Sequence, residues 1–232
     1  MRTESMEYRR RVGLLIPSSD IVMEADLWRR LPAGVTLHVA RMYMKSTTVA
    51  GEERMLQEEL VPAARRVASV HPELVVFGCT SAAALRGLDG DAAIARRVET
   101  IADCPCVTVV QAAFQEIRRL KVRRLLLVTP YIAEINDRLQ NTFREAGLSV
   151  TGVVGMGLDD DLDIGAISPE EILRFVVTAT QGADPAPECV FVSCTTFRAF
   201  EVAEDLEREL GIPVVTSNRS AFQVILRYLG DE

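Results

Sequence analysis

Two cysteines are the residues of this sequence best suited to chemistry. Cys79 is followed by Thr80 and Ser81, and Cys194 by Thr195 and Thr196. Each stands just beyond a short apolar run, Leu74–Phe77 or Cys189–Val192, where a strand would end and a helical stretch begin. A free thiol has a pKa of about 8.5, and the amides at a helix N-terminus favour its thiolate. The same amides, with the neighbouring hydroxyls, suit the carboxylate of a small ligand. One such cysteine alone reads most simply as a small apolar filler of a buried strand end. A pair at matching positions, each followed by a hydroxyl residue, reads instead as a signal of two activatable thiols.

The positions do match, because the sequence repeats. Pro105-Cys-Val-Thr-Val-Val-Gln-Ala-Ala-Phe-Gln-Glu-Ile117 aligns with Pro213-Val-Val-Thr-Ser-Asn-Arg-Ser-Ala-Phe-Gln-Val-Ile225, identical at 7 of 13 positions. Upstream, the stretch from Val76 through Cys79 pairs with that from Val190 through Cys194, and Gly13–Pro17 pairs more loosely with Leu126–Pro130. All three matches occur in one order at a spacing of about 110 residues, which marks a duplicated unit.

The elements that must position these residues follow from hydrophobic patterning. Strand candidates are Val12–Ile16, Val35–Val39, Leu74–Phe77, Cys106–Val109, Arg124–Thr129, Ser149–Val154, Cys189–Val192 and Val214–Thr216. Helical periodicity covers Gly51–Val70, Gln111–Leu120, Ile132–Ala146, Pro169–Thr180, Phe197–Leu210 and Arg219–Leu229. Trp28, with Leu27 and Leu31, is expected on the core side of a first helix. This alternation predicts an α/β fold of two pseudo-symmetric, Rossmann-like halves, each a four-stranded, mainly parallel sheet flanked by helices. The halves span residues 12–120 and 122–229, with part of helix 219–229 expected to pack on the first. No Pro/Gly/Ser-rich linker divides them, so tight packing is expected. Ligands of such sheets bind beyond the strands' carboxyl ends. There lie Pro17, Cys79, Pro130 and Cys194, so a site between the halves would present one cysteine from each wall.

Composition narrows the classes of function. The chain has 232 residues, 48% hydrophobic and 25% charged, with a net charge of -7. These are the proportions of a globular protein, and the acidic balance argues against nucleic-acid binding. No apolar run reaches membrane-spanning length, and the polar start of the chain does not resemble a signal peptide, so a cytoplasmic protein is expected. Five cysteines in a reducing compartment are expected to be free thiols. A homodimer is the default assembly.

Two Cys-Thr motifs in duplicated α/β halves resemble the aspartate/glutamate/hydantoin racemase superfamily, which includes maleate cis-trans isomerase and arylmalonate decarboxylase. The likeness runs from Val12 to Leu229 and is strongest to the maleate isomerases. Gly13-Leu-Leu-Ile-Pro-Ser-Ser-Asp-Ile-Val-Met-Glu24 is similar to their Pro-Ser-Ser-Asn start. Arg41-Met-Tyr-Met-Lys45 resembles their Arg-Met-x-Met stretch, and Val128-Thr-Pro-Tyr131 their Pro-Tyr motif. The resemblance implies a cofactor-independent isomerase of a small carboxylic acid, with Cys79 adding to a double bond and Cys194 handling the proton. The runner-up it implies is a racemase of an amino acid or related chiral acid, in which the two thiols are opposed acid and base. The decarboxylase keeps only the second cysteine, so Cys79 argues against that branch. All these routes pass through a carbanion or enediolate that needs hydrogen-bond donors. Pro17, Ser18, Ser19, Thr80, Ser81, Tyr131, Thr195 and Thr196 are the expected substrate-binding residues, joined by Asp20 and Asp161.

These last two depart from the family pattern, which places Asn at both positions. An amide donates to a carboxylate, whereas an ionised Asp only accepts. The change disfavours maleate and favours a substrate with an amine or hydroxyl. A non-catalytic carboxylate-binding protein is the remaining alternative. Other signals read as structure. The Asp159–Asp161 and Asp163 cluster resembles a helix cap more than a cation loop, so no metal is expected. Cys104-Pro-Cys106 lacks zinc spacing, and neither His38 nor His71 has a motif partner. No glycine-rich nucleotide motif occurs.

Overall fold

The computed structural model describes residues 10–230, and the remaining polar residues at the start of the chain lie outside the described residues. Strands β1 (Arg10–Pro17), β2 (Val35–Met42), β3 (Leu74–Phe77) and β4 (Cys106–Thr108) form one sheet in the order β2-β1-β3-β4. Strands β5 (Arg124–Tyr131), β6 (Ser149–Leu158), β7 (Cys189–Val192) and β8 (Val214–Thr216) form a second in the order β6-β5-β7-β8. Every pairing is parallel. The repeat in sequence is thus a repeat in topology. The central strands β3, β5 and β7 are apolar and buried almost throughout, as strands covered on both faces must be.

The helices are α1 (Met23–Arg30), α2 (Val49–Glu58), α3 (Leu60–Ala68), α4 (Thr80–Ala84), α5 (Gly87–Ala102), α6 (Val109–Leu120), α7 (Ala133–Glu145), α8 (Asp161–Ala166), α9 (Pro169–Gln181), α10 (Ala203–Leu210) and α11 (Ser217–Leu229). The threonine of each Pro-x-Val-Thr repeat has the same local task. Thr108 accepts the Gln111 N–H to cap α6, and Thr216 accepts the Arg219 N–H to cap α11. Among the described residues no helix is long and apolar enough to cross a membrane.

Three expectations need correction. The helix expected over 51–70 is two, α2 and α3, parted at Glu59, because Pro62 has no N–H to continue the ladder. The helix expected over 197–210 begins as a 3-10 turn at Arg198–Val202 before α10. Trp28 is not a core residue: it is 50% exposed, because the buried stripe of α1 is Met23, Asp26 and Leu27.

One apolar cluster runs through both halves. Within it Phe114 of α6, Phe143 of α7 and Phe191 of β7 make an aromatic chain, with ring centroids 4.8 and 5.0 Å apart. A second cluster covers the other face of the first sheet. There Ala221, Val224, Ile225 and Leu229 of α11 pack with Val12, Leu14 and Ile16 of β1. The last helix of the chain therefore closes the first half.

Candidate active site

The carboxyl ends of both sheets meet, and the loops leaving them make a buried polar layer. β1 delivers Ser19 and Asp20, and the loop after β2 delivers Thr47 and, through α2, Glu52. Cys79 follows β3, Tyr131 ends β5, Asp161 follows β6, Cys194 follows β7 and Ser217 follows β8. Glu52 and Asp20 are fully buried, and Cys79, Tyr131, Asp161 and Cys194 are nearly so.

Cys79 is the N-cap of α4, with its Sγ 3.7 Å from the Ser81 hydroxyl. Gly78 before it is a necessary glycine, since a Cβ there would fall 2.5 Å from Met23 Sδ and 2.9 Å from Ile16 Cγ2. Cys194 has φ +98°, a conformation L residues rarely adopt, so its turn is held against backbone preference. Ser217 supplies one restraint. Its hydroxyl accepts the Cys194 N–H at 3.2 Å and the Thr80 hydroxyl at 2.9 Å, joining the two cysteine loops. Thr195 Oγ1 donates to the Gly78 carbonyl at 3.4 Å, a further tie from one loop to the other. The buried Asn218 amide donates to the Thr195 carbonyl and to Asp26, each at 2.9 Å.

Asp161 occupies the middle of the layer. Its carboxylate accepts Ser19 Oγ at 2.5 Å and Thr47 Oγ1 at 3.0 Å, both from the first half, while its charge acts on Cys79, Cys194, Asp20 and Glu52. Tyr131 lies near both thiols and acts on Cys194 through its hydroxyl, to which Ser193 Oγ donates at 3.5 Å. Asn136 Nδ2 donates to the Tyr131 carbonyl at 3.0 Å. Gly155 leaves room for this, because a Cβ there would come within 2.3 Å of that nitrogen.

The electrostatics correct one expectation. Helix amides were expected to favour the thiolates, yet both thiols are held protonated. Burial raises Cys79 most, followed by the Glu52 carboxyl, and the Ala82 N–H and Ser81 hydroxyl only partly offset them. Burial and then Asp161 raise Cys194, against the Tyr131 hydroxyl and the Thr196 N–H. Burial likewise raises the pKa of Tyr131, Asp20 and Asp161. Glu52 is pushed up to about 8, so it is largely uncharged at pH 7.

The expected site residues separate accordingly. Cys79, Cys194, Ser81, Tyr131, Asp161, Ser19, Asp20, Thr195 and Thr196 come together. Thr80 is buried with its hydroxyl committed to Ser217. Pro17 is buried at the end of β1, whereas Ser18 is exposed and its hydroxyl accepts the Met44 N–H instead. Pro130 lies within β5, which runs on to Tyr131. Asp160, not Asp161, caps α8, through the Leu162 and Asp163 N–H groups. Glu52 and Ser217 are absent from the sequence expectation. A glutamate on the same helical stripe as Val49 and Met55 is the signal for the first. For the second, it is a serine where the other copy of the repeat has Val109.

Duplicated parallel α/β halves that close over one buried cysteine from each define a class of two-cysteine α/β proteins. Comparison with known proteins places the chain within it. It belongs to the arylmalonate decarboxylase family, whose model matches residues 12–232. It is 27% identical to arylmalonate decarboxylase from Bordetella bronchiseptica over 94% of this chain and 90% of that protein. It is 24% identical to maleate isomerase from Nocardia farcinica over 95% of this chain and 90% of the relative. In fold it matches the structure of a Nocardia farcinica maleate cis-trans isomerase mutant with a covalently bound succinylcysteine intermediate. That match has a TM-score of 0.86 at 22% identity, covering 95% of this chain and 93% of the other.

Proposed function

We propose that this protein is a two-cysteine isomerase of a small carboxylic acid, with Cys79 as nucleophile and Cys194 as acid and base. The observation that carries the reading is that thiols from the two halves share one buried layer, where both act on Tyr131 and both feel Asp161. In a cis-trans isomerisation Cys79 adds as thiolate to one olefinic carbon, and Cys194 gives its proton to the other. Rotation about the new single bond follows. Cys194 then takes a proton back as the carbon–sulfur bond breaks and the double bond re-forms. The succinylcysteine in the relative's structure is the adduct such an addition to maleate gives. Ser81, Tyr131 and the backbone N–H groups of Ala82 and Thr196 are the donors for the transient negative charge.

Racemisation is the second reading, and Asp161 favours it. Acting on both thiols, this carboxyl is already filled by two hydroxyl donors and offers no N–H to a dicarboxylate's second carboxylate. One thiolate would remove the α-proton from one face while the other thiol returns a proton to the opposite face.

Proton NMR in D2O separates the readings. Conversion of maleate to fumarate, lost by at least 1,000-fold (roughly 4 kcal/mol of barrier) on Cys79→Ala and on Cys194→Ala, is the isomerase outcome. Exchange of the α-proton of a chiral acid with the same dependence on both cysteines is the racemase outcome. Loss of CO2 from phenylmalonate that survives Cys79→Ala would overturn both.

A further inference from the structure

The polar layer around the cysteines holds three carboxyls, from Asp20, Glu52 and Asp161, each less than 10% exposed and each on a different loop or helix. No lysine, arginine or histidine is among the principal influences on any of them, or on Cys79, Cys194 or Tyr131. Their hydrogen bonding is uneven. Both oxygens of Asp161 accept hydroxyls, and Asp20 Oδ1 accepts the Val22 and Met23 N–H groups to start α1. Asp20 Oδ2 and both oxygens of Glu52 have no partner in hydrogen-bond geometry, although Thr195 and Ser81 are their neighbouring hydroxyls. Buried polar atoms are normally paired, because leaving one without a partner costs about 1–3 kcal/mol. The Glu52 carboxyl, fully buried with neither oxygen paired and with Asp161 acting on it, becomes on losing its proton the complement of a ligand with N–H donors and positive charge.

We propose that Glu52, supported by Asp161, receives an ammonium group, so that the ligand of this site is a small amine-bearing carboxylic acid. The proposal rests on the reading that Cys79 and Cys194 border the substrate, and not on which reaction they perform. Glu52 is the carboxyl that acts most strongly on Cys79. The groups facing Glu52 are the Ser81 hydroxyl, the Cys79 thiol and the Asp161 carboxyl, none of them cationic.

Proton linkage gives a readout independent of turnover. Glu52 carries its proton at pH 7 in the free protein, and a bound cation favours its ionised form, so ammonium binding releases a proton. A dicarboxylate would require the opposite, since only a protonated Glu52 can donate to it. The test is isothermal titration of the whole protein at pH 7, in phosphate and in Tris, with amino acids of graded length and their hydroxy-acid counterparts, and with maleate. At least one amino acid is expected to bind tenfold or more tighter than its hydroxy counterpart and to release up to one proton. Glu52→Gln should abolish both the preference and the release. Asp161→Asn, which keeps an acceptor for Ser19 and Thr47, should weaken the preference and serves as the second variant should Glu52→Gln not fold. The proposal is overturned if no amino acid is preferred over its hydroxy counterpart, or if the preference persists unchanged in the variants. α-Proton exchange in D2O on the same compounds keeps the two proposals distinguishable. Amine preference without turnover leaves the ligand class standing and removes the isomerase reading. Turnover of maleate or hydroxy acids without amine preference does the reverse.

Discussion

At the scale of single residues, Glu52 sets a pH dependence that stability measurements can read. Its pKa rises from 4.5 in the unfolded chain to about 8 in the fold, with burial the main cause. A carboxyl raised on folding holds more protons in the native state. Its contribution is therefore complete below pH 4.5 and is lost as pH rises through about 8. At about 1.4 kcal/mol per unit the loss amounts to several kcal/mol. Asp91, raised to about 6, adds a smaller loss between pH 4 and 6. Thermal unfolding midpoints should thus fall between pH 5 and 8.5. Glu52→Gln should flatten the upper part of that slope and melt several degrees higher at pH 8. An unchanged slope would show that Glu52 is solvated. This residue was legible in the sequence only as an acid on an apolar helical stripe, a weak signal. The cysteines were legible because duplication placed both in equivalent contexts. Their pKa direction was not, because helix amides can be read from a pattern whereas burial and a carboxyl from α2 come only with the tertiary fold.

At the scale of elements, the turn carrying Cys194 is where local preference and tertiary structure disagree. The positive φ there is retained while Ser217, Thr195 and Asn218 tie the loop to its surroundings. Replacing Cys194 with either Ala or Gly removes the thiol, but only Gly relieves the backbone. Cys194→Gly should therefore be more stable than Cys194→Ala by about 1 kcal/mol in urea unfolding. Equal stabilities would argue that the turn is unstrained. Elements with sharp boundaries were the ones sequence defined best: β3, β7 and β8 are apolar runs closed by turn residues, and their ends agree to the residue. The short α4 is all small residues without periodicity, and α5 opens on Gly87-Leu-Asp-Gly90, so neither shows a clear amphipathic start. Such helices form because tertiary packing, here of Ala82, Ala83, Ile94 and Val98 into the shared core, supplies what propensity does not.

At the scale of the whole molecule, the duplicated halves share one apolar core and are expected to unfold together. Phe114 of the first half packs on Phe143 of the second, and α11 covers the face of β1 with Ala221, Val224, Ile225 and Leu229. Thr80, Ser217 and Cys194 then join the loops above the sheets. Neither half can expose these faces to water without losing burial worth about 25 cal/mol per Å2. The sequence repeat conveys where one unit ends and the next begins, but not this exchange of covering helices, which depends on how the copies sit together. Trp28 allows a direct test, because it is the only tryptophan and lies on α1 of the first half. Half-exposed in the fold, it reports locally, whereas far-ultraviolet circular dichroism reports helices of both halves. The two signals should give coincident urea transitions. Ile225→Ala, in the second half by sequence, should lower both midpoints together, at a cost of about 2–4 kcal/mol for a buried isoleucine. A tryptophan transition separated from the dichroism transition, or one indifferent to Ile225→Ala, would show that the first half folds without its cover. The cysteine-bearing walls could then move independently, and a buried layer shared between them would not persist through partial unfolding.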